Sequence, residues 1–162
     1  MIARSAVSCG VIAFLVGSAA CGRPIDLKTS LQATDVSTGW FDAGVVDGKN
    51  KLVPNVTFRL KNIGTQPLNY VRMNVLFMLQ HQNEEWDAML VEGIAEAPLA
   101  PGASTAPITV RGKVGFTGEQ PRAQMLQHQS FQDVNVRLFA KKGSGQWTPL
   151  GEYKVVRQLL TR

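Results

Sequence analysis

Apolar and polar residues alternate with a period of two along much of this chain. In VPNVTFRLKNIGTQPLNYVRMNVLFML, which begins at Val53, the apolar Val56, Phe58 and Leu60 alternate with Thr57, Arg59 and Lys61. After the turn-forming NIGTQP the same spacing resumes at Val71, Met73, Val75, Phe77 and Leu79. Period two with β-branched and aromatic residues predicts strands that bury one face. Val134, Val136, Leu138 and Ala140 then alternate with Asn135, Arg137, Phe139 and Lys141, KKGSGQ supplies two glycines for a hairpin, and WTPLGEYKVV predicts the returning strand. Weaker alternation predicts strands over residues 27–36, over 86–91 after the polar HQNEE, and over 104–116 after the breaker APLAPGAS. Helical character is confined to PRAQMLQHQ, residues 121–129, with proline at its start and Ala123, Met125 and Leu126 on one side. About seven short strands divided by Gly/Pro-rich turns, with one short helix, predict an all-β, immunoglobulin-like antiparallel β-sandwich.

The second face of these strands carries the functional expectation. With Val71, Met73, Val75, Phe77 and Leu79 inward, the outward set is Arg72, Asn74, Leu76, Met78 and Gln80, which is apolar near its end. Arg137 and Phe139 point outward by the same rule. In an immunoglobulin-like sandwich these two strands and the one containing Tyr153 and Val155 are neighbours in one sheet. Its outer face is then expected to bring together Arg72, Leu76, Met78, Arg137, Phe139 and Lys154, with Val156 beside them, as an interaction face. The alternative is that this face is internal, covered by the N-terminal segment, the helix at Pro121 or the tail RQLLTR. Trp40, Trp86 and Trp147 pose a similar choice between core-edge packing and a surface that stacks on sugar rings.

The N-terminus changes the compartment. Met1 to Arg4 supplies positive charge, Ala6 to Val16 is largely apolar, and Gly17, Ser18, Ala19 and Ala20 are small. This is the layout of a secretory signal peptide. The uncharged run from Ser5 to Gly22 falls slightly short of the ~20 residues that span a bilayer as a helix. Residues 1–20 are therefore expected to be removed, residues 21–26 to form a short tether, and residues 27–162 to form the sandwich. Two cuts fit. Ala20 and Ser18 suit ordinary signal peptidase, while SAAC resembles the bacterial lipobox, whose cysteine is acylated on sulfur; leucine is usual where Ser18 stands. The resemblance implies that Cys21 carries a lipid and anchors the chain to a membrane.

Cysteine usage and charge narrow the classes further. Cys9 and Cys21 are the two cysteines, and Cys9 lies within the segment to be removed, so Cys21 is left without a disulfide partner in an oxidising compartment. The whole chain has a net charge of +5, and loss of Arg4 with the leader takes it to +4. That balance suits solubility and attraction to an anionic membrane surface. No block of five basic residues occurs, so nucleic acid is not an expected partner.

VTFRLKNIGTQPLNYVRMNVLF, followed by PLAPGAS, resembles the immunoglobulin-like modules of bacterial envelope proteins, of the FxLYD and CARDB-like types. The resemblance spans residues 54–110 and rests on an N-x-G turn between two core strands and a later PG turn. It implies fold and compartment, and no catalytic residues.

Chemistry-bearing motifs are sparse. HQNEEWD sets His81 near Glu84, Glu85 and Asp87, but a metal site needs three or four convergent ligands, and a polar turn accounts for the stretch. His128 lies in a separate polar segment. There is no Gly-x-Ser-x-Gly elbow, GSG at residues 143–145 reads as a turn, and no glycine loop opens a helix after a strand. Asn55-Val56-Thr57 matches a glycosylation sequon inside an expected strand. The expectation is a non-enzymatic envelope protein without cofactor, metal or small-molecule substrate. It meets the membrane through Cys21 and an envelope protein through its sheet face. A carbohydrate or peptidoglycan binding module is the alternative.

Overall fold

The computed structural model describes residues 25–82 and 84–160; Cys21, the leader and residues 21–24 of the tether lie outside the described residues. The protein is an all-β sandwich of immunoglobulin-like type. Its elements are α1 (Leu27–Ser30), β1 (Leu31–Val46), β2 (Lys49–Asn62), β3 (Val71–Leu79), β4 (Glu84–Ile94), β5 (Ile108–Arg111), β6 (Phe116–Gly118), α2 (Arg122–Met125), β7 (Val134–Lys142), β8 (Thr148–Lys154) and β9 (Leu159–Leu160). One sheet runs β5-β2-β1-β9, with β6 also on β2, and the other runs β4-β3-β7-β8. Strands stand in each of the expected regions, with the corrections given below, and β9, of two residues, is a short addition. Pairing is antiparallel except between β1 and β9, where Trp40 and Phe41 run parallel to Leu159 and Leu160.

Alternation places the core as the sequence predicts. Val56, Phe58, Leu60, Val71, Met73, Val75, Phe77, Val134, Val136, Leu138 and Ala140 are fully buried between the sheets. At one end Trp40 packs against Trp86, Phe116 and Phe131, with ring centroids 6.4, 5.6 and 4.6 Å away. Such rings contribute both buried area and edge-to-face contact.

Four expectations need correction. Residues 27–30 form a helical turn rather than the start of a strand: the Asp26 carboxylate caps it by accepting from the Lys28 amide, and only Leu27 is buried. An alternation of two across Leu27, Thr29 and Leu31 is equally satisfied by a turn that buries Leu27 before the strand begins. The helical segment near Pro121 is therefore one of two, and α2 spans Arg122–Met125 only. The strand expected over 104–116 is broken into β5 and β6. Gly115 lies so close to the Leu52 carbonyl that a Cβ there would approach its oxygen to 2.2 Å, and this close passage redirects the chain. Finally, β1 and β2 extend to a hairpin at Asp47-Gly48, both with positive φ, 50° and 76°. That is the two-residue turn whose twist matches paired strands.

The ends of the sandwich differ. Leu31 pairs with Asn62 and Val71 with Lys142 and Ile94, so α1 and the 63–70, 95–103 and 143–147 loops share one end. The Ser30 carbonyl accepts from the Ile63 and Gly64 amides, and the Asn62 side chain bonds the Gln66 and Leu99 carbonyls and the Gly64 amide, joining these loops. The β1–β2 hairpin tip, the turn at residues 80–82 and the 112–133 connection lie at the other. No helix among the described residues is long and apolar enough to cross a membrane.

Candidate functional site

Cross-strand register builds the outer face of the four-stranded sheet row by row. Glu92, Arg72 and Lys141 stand in one row, and Leu90, Asn74, Phe139 and Pro149 in the next. Ala88, Leu76, Arg137 and Glu152 follow, and then Glu85, Met78, Asn135 and Lys154. Residues directly opposite on one face have Cβ atoms ~5 Å apart, so each row is a line of touching side chains. The structure thus places β3, β7 and β8 side by side and puts Arg72, Leu76, Met78, Arg137, Phe139 and Lys154 on one side of one sheet.

Two features of the expected face change. Met78 is only 7% exposed and belongs to the buried set. It sits on a central strand with Glu85 and Asn135 directly opposite on its two neighbours, which leaves a long side chain little access to water. Nor is the face basic. Arg137 Nε lies 2.9 Å from Glu152, whose carboxylate also accepts from the Asn135 amide. Lys154 turns to Asp133, and Arg72 stands opposite Glu92. The hydrogen bonds from Arg137 and Asn135 hold the Glu152 carboxyl below its ordinary range. What remains is an apolar patch of Leu90, Phe139, Leu76, Ala88 and Pro149, bordered by Arg137 and Lys154, which are paired with acids, and by Arg72, Glu92 and Lys141 at the next row.

Leu90 is the residue that periodicity missed. It is 70% exposed, the most open of the large hydrophobic side chains, and faces Asn74 beside Phe139. Its signal was the unbroken apolar run AMLV, residues 88–91, in a strand whose inner face needs only Met89 and Val91. None of the described segments considered as a cover lies on this face. α2 packs on β2, the tail pairs with β1 as β9, and α1 buries Leu27 in the core.

The other candidate residues resolve as follows. Trp40 is fully buried and Trp86 half-buried in the aromatic cluster, which leaves Trp147 as the exposed tryptophan. Asn55 of the sequon is 4% exposed in β2, too buried to accept a glycan. Asp87 spends its carboxylate on the Lys113 and Val114 amides, and among the described residues no three His, Cys, Asp or Glu side chains converge as a metal site. A depression of about 290 Å³ is lined by Phe116, Gln120, Met125, His128 and Phe131 among others. There the His128 Nδ1 meets the Ser130 hydroxyl at 2.6 Å and also accepts from the Ser130 amide, a contact internal to one turn. Gly143–Gly145 form the expected turn, with the Gly145 amide on the Lys142 carbonyl.

Asp133 ties β8 and the tail to the start of β7. Burial opposes its ionisation, but hydrogen bonds and charge from Arg157 and Lys154 outweigh this and hold its carboxyl below the ordinary range. A folded-state value below the unfolded ~3.9 contributes stability at neutral pH that fades as pH falls below that value and through the folded one. Asp133→Asn is therefore expected to lower Tm by about 3–6 °C at pH 7. Thermal melts across pH should show the gap constant above pH ~5 and closing below pH ~4; a gap that widens on acidification contradicts the assignment.

No family model matches the chain, and no curated protein matches it. Among solved structures it is similar to the Northeast Structural Genomics Consortium target SoR45, at 13% identity over 80% of this chain and 89% of that one, with a TM-score of 0.46. It is also similar to a putative ApaA protein from Bordetella pertussis, at 15% identity over 78% of this chain and 93% of that one, with a TM-score of 0.45.

Proposed function

We propose that this protein is a non-catalytic, exported subunit of a bacterial cell envelope. It is held to a membrane by a lipid on Cys21 and docks a partner protein through the outer face of the β4-β3-β7-β8 sheet. The lipobox-like SAAC and the preceding apolar leader support the anchor. One observation carries the docking role: Leu90, 70% exposed, stands in a row with Phe139 and Pro149 on a face that no described segment covers. Contiguous apolar surface within a polar rim is the composition of a protein contact. Because Arg137 and Lys154 are already paired with acids, the complementary surface is apolar rather than acidic.

The test is affinity purification of the tagged, full-length protein from mild-detergent membranes. A stoichiometric partner is expected with the wild type and lost with Leu90→Asp and Phe139→Asp. At an exposed site such as Leu90 a substitution changes stability by only ~0.5 kcal/mol, so loss of the partner there is not loss of fold. A partner retained by both variants contradicts the proposed face.

A further inference from the structure

We propose that the end of the sandwich where the chain enters is itself a membrane-contact surface, seated on anionic phospholipid headgroups. This rests on the anchored reading above and specifies how the domain stands on the membrane.

The first described residue is Ile25, so residues 22–24 are all that separates it from Cys21. Four Cα–Cα steps span at most ~15 Å, whereas the 16 residues of β1 extend over ~50 Å. A lipid on Cys21 therefore holds the α1 end near the headgroups and the β1–β2 hairpin tip far from them.

The surface chemistry of the two ends differs in the sense this placement requires. The α1 end exposes Ile63 at 48%, Tyr70 at 54% and Trp147 at 39%, and Tyr70 and Trp147 are the exposed large aromatic side chains among the described residues. Tyrosine and tryptophan are the residues that settle at the bilayer interface, with an apolar body and a polar tip. Each projects from a loop: Ile63 and Tyr70 bound the 63–70 connection and Trp147 closes the hairpin before β8.

Charge supplies the complementarity. Lys28, Lys61, Lys141 and Lys142 lie at this end, and among the described residues none of the four is in an ion pair. Lys142 Nζ rests on the backbone and side-chain oxygens of Asn69, neutral acceptors that leave its charge available. Lys141 Nζ lies 5.5 Å above the Trp147 ring, so cation and aromatic reach the surface together. The acids nearby are Asp26, spent on capping α1, Glu96, and Glu92, which shares a row with Arg72 and Lys141. At the far end Asp47, Glu84, Glu85 and Glu119 stand against Lys49, Lys51 and Lys113. The entry end thus keeps an excess of positive charge that the far end lacks.

Vesicle flotation of the exported Cys21→Ser chain, whose Ser18 and Ala20 still suit ordinary signal peptidase, tests the surface without the lipid. Binding to vesicles of phosphatidylethanolamine and phosphatidylglycerol is expected, with little to phosphatidylcholine alone. Removing a lysine near such a surface weakens binding about fivefold, so Lys61→Gln with Lys141→Gln should weaken it about 25-fold. With the wild-type protein in vesicles containing brominated lipid, tryptophan fluorescence should be quenched, and Trp147→Phe should abolish the quenching because Trp40 is buried and Trp86 half-buried. Mass spectrometry of Cys21 is read in parallel. An acylated Cys21 without Trp147 quenching, or with binding indifferent to the lysines, overturns this inference and leaves the anchor standing. An unmodified Cys21 with phosphatidylglycerol-dependent binding removes the anchor and supports the surface.

Discussion

Trp40→Ala is expected to destabilise the protein by about 3–5 kcal/mol, the cost of emptying a large, fully buried site. Trp40 has no exposed surface and touches the rings of Trp86, Phe116 and Phe131, which come from β4, β6 and the segment before β7. The cluster therefore holds the irregular end of the sandwich, where strands are short, against both sheets. Its indole Nε1 makes no hydrogen bond, so truncation leaves no orphaned partner and the loss is one of packing. Gly39, next to it, approaches Leu160 so closely that a Cβ would meet it at 2.7 Å, and loosening Trp40 should also release β9. A domain of ordinary stability, about 5–15 kcal/mol, keeps only part of that margin. Urea unfolding should show a lower midpoint with an unchanged slope, and Trp40→Phe should recover much of it; a loss below ~1 kcal/mol contradicts the packing account.

Asn62→Ala is expected to cost about 2–4 kcal/mol through hydrogen bonds rather than volume. The side chain is fully buried, its amide donates to the Gln66 and Leu99 carbonyls at 2.8 and 2.9 Å, and its oxygen accepts from the Gly64 amide at 3.0 Å. One residue thus bonds three backbone groups in the two loops that the Leu68–Leu99 backbone pair also joins. Asn62→Asp separates the roles. It keeps the bond from Gly64 but aims a carboxylate at two carbonyl oxygens, which raises its pKa in the folded state. Its deficit should therefore shrink as pH falls through that raised value toward the unfolded ~3.9, beginning at a higher pH than the closing of the Asp133→Asn gap. Chemical denaturation at pH 7 and pH 4 reads both. An Asn62→Asp protein as stable as the wild type at neutral pH contradicts the bonding scheme.

The N-x-G turn at Asn62-Ile63-Gly64 shows how much of the fold was legible in the sequence and in what form. The motif marked a turn between two strands, and the structure supplies its reason. Asn62 closes the turn, and Gly64 leaves room for Ser30, whose Cβ a side chain at Gly64 would meet at 2.9 Å. Strict alternation likewise gave β3 and β7 and their shared sheet, because one buried face fixes which side every residue takes. Long-range properties were not legible. The burial of Met78 depends on which residues stand opposite it, and the pairing of Arg137 with Glu152 depends on the register of β7 with β8. A single strand's pattern carries neither. The β1–β2 hairpin had a local signal, Asp47-Gly48 in VVDGKN, but its flanks do not alternate. Bulges after Thr34 and Asp42 break the period there.

These corrections sharpen the central claim. With Met78 buried and Arg137 and Lys154 paired, docking reduces to the row of Leu90, Phe139 and Pro149 and its apolar neighbours Leu76 and Ala88. The measurement that tests it most directly is photo-crosslinking in living cells, with a benzophenone amino acid at Leu90 and, as a control, at Thr109 on β5 of the opposite sheet. A single discrete adduct to one envelope protein from Leu90, with none from Thr109, is the result the account predicts. No adduct from Leu90, or the same adduct from both positions, would contradict it.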